Sequence, residues 1–424
     1  DHAPGIGDSN KFKTAFNTIQ KLIKKSSIYA GHDISSGGMI VSLLEMCFPS
    51  KKIGMKINLD SLDNNDIVSV LFSENSGLIV QSNENIELIF KKLNIEFHLI
   101  GTANRSGYLE IKKDDFNLSL NIDQYRDIWF KTSYEFDKFQ TKNNLAEKRF
   151  DNYKKNSLQF LFPKKFNGSM PSKKTNKIKA AVIREKGSNS EREMAYAMHL
   201  SGFEVHDVHM TDLISGRTNL EDFHFLVAVG GFSNSDVLGS AKGWAGAFLY
   251  NKKARKSLED FFKRKNTLSL GVCNGCQLFI ELGLITPDDS ELPKMMINDS
   301  GKFECVFTSV KIEKSSSIML RGMEGSVLGI WAAHGEGKFH LPLKEKKYQI
   351  PAKYYYRSYP SNPNGSDYNS AMLCSQNGRH LVMMPHLERS TFPWNWAHYP
   401  KDRQDKASPW VMAFENAFSW LSKR

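Results

Sequence analysis

Two rhythms of apolar and polar positions run along this chain, and the change from one to the other organises it. Over residues 1 to about 130 the pattern is mixed. Residues 15–22 have helical spacing, and the apolar run 39–48 follows directly on a polar, glycine-rich stretch, Gly31-His32-Asp33-Ile34-Ser35-Ser36-Gly37-Gly38, which predicts a loop opening a helix. The short runs 68–72 and 78–81 predict strands on either side of Ser73-Glu74-Asn75-Ser76-Gly77. From 139 to 177 the chain is polar and rich in Lys and Asn, with Pro163, Gly168 and Pro171, as expected of a helix giving way to a linker.

At residue 178 the rhythm changes. Apolar runs at 179–184, 203–209, 225–229 and 269–272 predict strands, and segments 190–200 and 249–263 predict helices. Such alternation builds a largely parallel, doubly wound sheet. The expected organisation is an α/β unit over 1–138, a linker over 139–177 and a doubly wound domain over 178–424, without internal repeats. Ligands in such sheets bind beyond the carboxyl ends of the strands, where Gly230-Gly231 and Cys273 fall.

One of those strand ends has a special form. Residues 268–278 read L-S-L-G-V-C-N-G-C-Q-L: an apolar run stops at Cys273 and a helical run, 276–284, follows at once. A strand, a tight turn and a helix with a thiol at the apex make a nucleophile elbow. Gly271 and Gly275 let strand and helix approach closely, and the helix N-terminus behind Cys273 favours the thiolate. Cys273 and Cys276 also form a C-x-x-C, readable as a redox pair or half a zinc site. A zinc site needs a second ligand pair, whereas Cys47, Cys305 and Cys374 stand isolated, and the flanks lack the aromatic or Pro of the usual redox motif.

Composition adds bounds. A chain of 424 residues, 40% hydrophobic and 24% charged, is expected to fold as two or three globular domains. No apolar run reaches membrane-spanning length, no signal peptide is visible, and five sparse cysteines fit a reducing compartment, so a cytoplasmic protein with no membrane partner is expected. The net charge of +11 invites a nucleic-acid reading. The lysines, however, fall in scattered pairs such as Lys24-Lys25, Lys51-Lys52 and Lys173-Lys174, with no aromatic-interleaved stripe. A solvated basic surface that attracts phosphorylated small molecules, and no nucleic-acid partner, is the expectation. The first residue is Asp1, not Met, so a fragment or a processed product is expected.

A cysteine nucleophile needs a base and a group to orient it. The run 380–384 leads into Pro385-His386-Leu387-Glu388, where residues two apart share a side in extended chain, so Glu388 can fix the tautomer of His386. Alone, H-x-E is more often a surface pair; the elbow gives it weight. Acyl transfer also needs an oxyanion hole. The turn Gly230-Gly231-Phe232-Ser233-Asn234 can offer backbone N–H groups, with the N–H of Asn274 as a second donor, although a Gly-Gly turn after a strand is otherwise plain turn chemistry. His206 and His209 read as strand-end residues, and His334 as a residue that lines a pocket.

Together G-V-C-N-G-C-Q, V-G-G-F-S and P-H-x-E resemble the class I, or triad, glutamine amidotransferase domain, over roughly 178–424. The resemblance implies a flavodoxin-like fold in which Cys273 attacks the glutamine side-chain amide, His386 held by Glu388 moves the protons, Gly231, Phe232 and Asn274 face the oxyanion, and Gln277 positions glutamine. The segments Gly230–Ala245, Ala333-His334-Gly335-Glu336-Gly337, Asn362-Pro363-Asn364-Gly365-Ser366 and Ser408-Pro409-Trp410 further resemble the phosphoribosylformylglycinamidine synthase family in its large, single-chain form. Leu387 departs from the Pro frequent in that family. In the first 138 residues, His32-Asp33-Ile34-Ser35-Ser36-Gly37-Gly38 resembles the C-terminal half-domain of the aminoimidazole-ribonucleotide-synthetase type. That implies Asp33 as a Mg²⁺ ligand, Ser35 as an ATP contact and Glu74 as a further site residue. A carboxylate suits a hard cation bridging phosphates, and a Gly-rich loop before a helix exposes N–H groups to them, while a capped helix start explains the same residues. No G-x-x-x-x-G-K-[ST] is present, so ATP use is not of the P-loop type. The family's substrates are glutamine, ATP and formylglycinamide ribonucleotide, and the resemblance implies a missing N-terminal part of the same polypeptide. Two rivals remain: a glutaminase serving another nucleotide-forming synthetase, and a non-catalytic amidotransferase-like module.

Overall fold

The computed structural model describes residues 7–82, 85–155, 158–171, 178–286 and 291–424; the Lys173-Lys174 pair lies outside them. The chain divides into two compact units, Asp1–Glu135 and Phe136–Arg424.

In the first unit a sheet orders its strands as Gly101–Asn104, Gly54–Asn58, Tyr108–Lys113 and Phe116–Asn121, with the middle pair parallel. Tyr108–Lys113 alternates exposed and buried positions, so one face of the sheet carries the core with Leu43, Leu59 and Ile122. The helix after the glycine-rich loop, Gly38–Cys47, buries Ile40, Leu43, Leu44 and Cys47, a single stripe at helical spacing. The strand Ala30–Ile34 before it pairs antiparallel with Gly77–Gln81. Residues 68–72, expected as a strand, are instead the helix Ile67–Phe72. Asp66 decides this: its carboxylate accepts the Val68 N–H at 3.1 Å, capping a turn whose β-branched residues suggest extended chain.

The second unit is built on a nine-stranded sheet ordered Val327–His334, Glu304–Ile312, Gln349–Tyr354, Ser370–Cys374, His380–Met383, Leu268–Val272, Phe225–Ala228, Ile178–Arg184 and Phe203–His209. The last five run parallel. Numbered along the chain they follow the order 2-1-3-4-5 of flavodoxin-like sheets, whose right-handed crossovers put helices on both faces. The fold is the expected doubly wound α/β type, extended by four antiparallel strands that the sequence reading did not anticipate. The predicted helix 249–263 is two helices, Lys242–Tyr250 and Lys252–Lys263. Asn251 separates them: its backbone is extended and its side chain caps the second helix through the N–H groups of Lys253 and Ala254.

Part of the segment read as a linker is anchored to this unit. It contains the helix Leu145–Asn152, and Phe160 and Phe162 pack against the main core. Arg149 pairs with Glu304 at 3.0 Å. The polar composition of 139–177 conceals these few anchoring side chains.

Candidate active site

The strand Leu268–Val272 is buried throughout and delivers Cys273 to the carboxyl end of the sheet. Cys273 has φ 51° and ψ −106°, a strained conformation for a residue with a side chain, and the helix Asn274–Glu281 starts immediately after it. Gly275 makes the turn possible, since a Cβ there would stand 2.0 Å from the carbonyl oxygen of Ala228 on the neighbouring strand. The thiol is 5% exposed, and Sγ lies 3.6 Å from the carbonyl oxygen of Ala333. Cys276, one turn on, is fully buried, and burial pushes its thiol well above the usual range.

His386 is brought over Cys273 by the loop after His380–Met383, pinned where its N–H donates 2.7 Å to the carbonyl of Trp331. The His386 ring and the Cys273 side chain both pack against Gly230, close enough for Cys273 to act on the imidazole. On its other side, Nδ1 of His386 lies 2.6 Å from Oε1 of Glu388. Burial works against a charged imidazole, but the Glu388 carboxylate and Cys273 outweigh it and push His386 up. Burial likewise works against charge on Glu388, and His386 reverses the sign, holding the carboxyl below its ordinary value. The structure therefore brings together the three side chains expected as nucleophile, base and orienter.

The turn after Phe225–Ala228 closes the opposite wall. The Gly231 N–H has no partner among the described residues, and the Asn274 N–H sits at the first helical position, where no intrahelical acceptor exists. Both fit the role of oxyanion donor. Phe232 does not fit it: its N–H is committed to the carbonyl of Gly187 at 2.9 Å, because this turn pairs with the segment around Ser188. Its ring is half-exposed beside Phe303 and can only wall the approach.

Asn274 ties the turn to the elbow. Its Oδ1 accepts the Ser233 N–H at 3.1 Å, and its Nδ2 donates 2.8 Å to Oε1 of Gln277. Nε2 of Gln277 donates 2.8 Å to the carbonyl of Glu336. Gln277, expected to position glutamine, thus also clamps the Ala333-to-Gly337 loop. Asn298, which sequence reasoning missed, grips the same loop from behind, donating to the carbonyl of His334 at 2.7 Å and accepting the Gly337 N–H at 3.0 Å. Nothing in its local sequence signals this. His334 is buried, its imidazole pushed down to about 4 by desolvation, and it approaches Asn364 at 3.4 Å. His209 caps a helix by accepting the Thr211 N–H, and His206 lies beside Glu204.

In the first unit, Asp33 stands one residue before the end of its strand with an exposed side chain, and Ser35 is exposed at the loop that follows. Glu74 reaches the same loop and accepts the Gly37 N–H at 2.8 Å, so the structure joins the two motifs. Among the described residues no group of three or more His, Cys, Asp or Glu converges as a metal cage. Mg²⁺ bound with nucleotide needs only one or two carboxylates beside the phosphates, and a solvent-facing Asp33 on a glycine-rich loop fits that donor set. No helix among the described residues is long and apolar enough to cross a membrane.

A flavodoxin-like sheet with a strained cysteine elbow facing a buried His-Glu pair defines a class of amide-cleaving domains. The model of the CobB/CobQ-like glutamine amidotransferase domain matches residues 177–421, and the chain belongs to that family. Residues 2–114 match the C-terminal domain of AIR synthase related proteins. The chain is 40% identical over 453 residues to a probable phosphoribosylformylglycinamidine synthase, chloroplastic/mitochondrial, of Arabidopsis thaliana, covering 99% of this chain and 32% of that protein. It is 36% identical over 463 residues to phosphoribosylformylglycinamidine synthase of Homo sapiens, covering 99% and 34%. It thus spans about a third of the length of these curated relatives. The solved structure of PurLQS from Thermotoga maritima is similar with a TM-score of 0.47 and 24% identity, over 58% of this chain and 100% of that one.

Proposed function

We propose that this chain is the glutaminase-bearing part of a phosphoribosylformylglycinamidine synthase, which amidates formylglycinamide ribonucleotide to formylglycinamidine ribonucleotide with glutamine and ATP. The observation that carries the reading is the strained Cys273 elbow packed beside His386, itself held at 2.6 Å by buried Glu388. The names of the relatives support the substrate, and the match of residues 2–114 to a synthase-related domain favours this reading over a glutaminase serving an unrelated synthetase. A non-catalytic module would have no use for the strain retained at Cys273.

Sγ of Cys273 attacks the δ-carbon of glutamine, and the carbonyl oxygen takes up the electron pair against the N–H groups of Gly231 and Asn274. Collapse breaks the C–N bond while protonated His386 gives the proton that completes ammonia. Water then attacks the thioester as His386 takes its proton, releasing glutamate. Ammonia attacks the carbon of the glycinamide amide whose oxygen ATP has phosphorylated, and phosphate departs with that oxygen. Asp33 would hold Mg²⁺ and Ser35 would contact ATP, the metal neutralising phosphate charge when bound. The N-terminal part of the same polypeptide would supply the remaining nucleotide and substrate sites. A cytoplasmic location belongs to this reading and is supported by five free thiols.

In the full-length enzyme, Cys273→Ala is expected to remove glutamine-dependent synthesis while leaving synthesis from ammonium salts intact. Retained use of glutamine by that variant would overturn the proposal.

A further inference from the structure

The carboxylate that orients the base has only one oxygen in use. Oε1 of Glu388 lies 2.6 Å from Nδ1 of His386, whereas Oε2 is buried without a hydrogen-bond partner. The next residue, Arg389, is in the complementary condition. Its Nε is buried, has no hydrogen-bond partner and stands 4.0 Å from Oε1 of Glu388. Among the described residues no Lys and no other Arg comes within that distance of Glu388. An open donor and an open acceptor, both withdrawn from water, are costly unless their charges serve each other.

The reaction gives this cation a use. A protonated His386 balances the carboxylate at 2.6 Å. When His386 gives its proton to the departing nitrogen, Glu388 is left as a buried anion beside a neutral ring. Desolvation destabilises a lone carboxylate in that position and would draw the proton back. Arg389 stays charged throughout, because a guanidinium does not titrate near neutrality. Its field reaches the carboxylate: burial pushes the Glu388 carboxyl up, and His386 and then Arg389 hold it down.

The other end of the guanidinium reaches the opposite wall of the site. Nη2 of Arg389 donates 2.7 Å to Oδ1 of Asn189, 200 residues earlier in the chain. The Asn189 N–H donates 2.8 Å to the carbonyl of Gly230, and the Asn234 N–H donates 2.8 Å to the carbonyl of Lys186. The fit is tight. A Cβ on Gly231 would stand 2.6 Å from the Asn189 nitrogen, and one on Gly187 would stand 2.2 Å from the carbonyl oxygen of Phe232. Residues 186–189 therefore cradle the turn that offers the Gly231 N–H, and Arg389 fastens that cradle beside Glu388. One cation serves both the group that orients the base and the backbone that carries an oxyanion donor.

We propose that Arg389 is a positioning residue for amide cleavage: it balances Glu388 when His386 is neutral and, through Asn189, holds the Gly230-Gly231 turn in register with the base. The assignment rests on the glutaminase reading and adds to it a residue outside the triad. Arg389 acts through Glu388 and Asn189, so its loss falls on turnover and not on how tightly glutamine is held.

The test measures Arg389→Met, Arg389→Lys and Asn189→Ala in the full-length enzyme, with synthesis from ammonium salts as the folding control. Arg389→Met should lower kcat for glutamine-dependent synthesis by about 10- to 100-fold, the loss expected of a hydrogen bond to a charged group, with KM for glutamine changed less than about threefold. Arg389→Lys keeps the charge without the planar fork, so it should recover part of that turnover. Asn189→Ala should cost about three- to tenfold alone and almost nothing more in the Arg389→Met background, where the bond it removes is already gone. Wild-type kcat in Arg389→Met, a loss carried by KM, a Lys variant no better than Met, or fully additive losses overturn this assignment alone, with glutamine use still abolished by Cys273→Ala. Should Arg389→Met also lose synthesis from ammonium salts, Arg389→Lys and Asn189→Ala decide, and wild-type kcat in both overturns the assignment. Glutamine use that survives Cys273→Ala overturns the glutaminase reading and this assignment with it.

Discussion

Gly230 is packed against His386 so closely that a Cβ on it would stand 2.8 Å from Cε1 of the imidazole and 3.4 Å from Cβ of Cys273. The absence of a side chain at Gly230 is therefore what lets base and nucleophile meet. Gly230→Ala is expected to displace the ring, lowering glutamine-dependent turnover by roughly 100-fold. Overpacking at such a site costs about 1–3 kcal/mol of stability, readable by chemical denaturation. Full glutaminase activity in Gly230→Ala would mean that His386 has room the geometry does not show.

The His386–Glu388 pair fixes a pH dependence whose sign follows from the two shifts. His386 is raised on folding, so the native state holds a proton that the unfolded chain gives up near its ordinary value of about 6.5. Its contribution to stability is complete below that value and is lost as pH rises through the higher native one. Glu388 is depressed, so its share is present above the ordinary carboxyl range and is lost as pH falls through the lower native value. Denaturation midpoints measured from neutral to alkaline pH should fall for the wild type. Glu388→Gln should flatten that alkaline slope and reduce glutamine-dependent kcat by about 10²- to 10⁴-fold, since the tautomer of His386 is no longer held.

Cys276 separates the nucleophile reading from the C-x-x-C reading. It is fully buried and its thiol is pushed up, so it does not supply a second thiolate at neutral pH. Cys276→Ser should keep most glutamine-dependent activity while losing about 1–2 kcal/mol of stability from the buried hydroxyl. A loss of turnover equal to that of Cys273→Ala would restore the paired-thiol reading.

How much of this was legible beforehand depends on whether a function is written in neighbouring residues. The elbow was readable because Gly271, Cys273 and Gly275 impose its geometry locally, and a Cβ at Gly271 would indeed meet the carbonyl of Gly275 at 2.5 Å. His386 and Glu388 were readable as a pair because they stand two residues apart. The strand expected at 68–72 was lost to a side-chain cap, since Asp66 outweighs the β-branched residues that follow. Phe232 reads as a donor because its N–H lies in the right turn, but the acceptor that claims it, Gly187, is more than forty residues away in sequence. Asn298 and the four antiparallel strands were invisible for the same reason: their meaning lies in distant partners, here the carbonyl of His334 and the strands beside it.

Asp33 offers the last test, of metal and nucleotide rather than glutamine. Its carboxylate is exposed at the mouth of a loop whose Gly37 N–H is held by Glu74, and in the described structure it makes only a long 3.7 Å approach to His32. A carboxylate so placed adds little to stability. Asp33→Asn should thus leave the denaturation midpoint within about 0.5 kcal/mol of wild type. If Asp33 ligates the metal, the neutral amide binds Mg²⁺ less well, and the magnesium concentration for half-maximal synthesis should rise by about tenfold or more at fixed ATP. Thioester formation at Cys273, followed by trapping with glutamine, should proceed at the wild-type rate, because the substitution leaves the amidotransferase unit unaltered. An unchanged magnesium requirement for synthesis would remove Asp33 from the site, and a slowed thioester would show that the loop acts on Cys273 instead of on the metal.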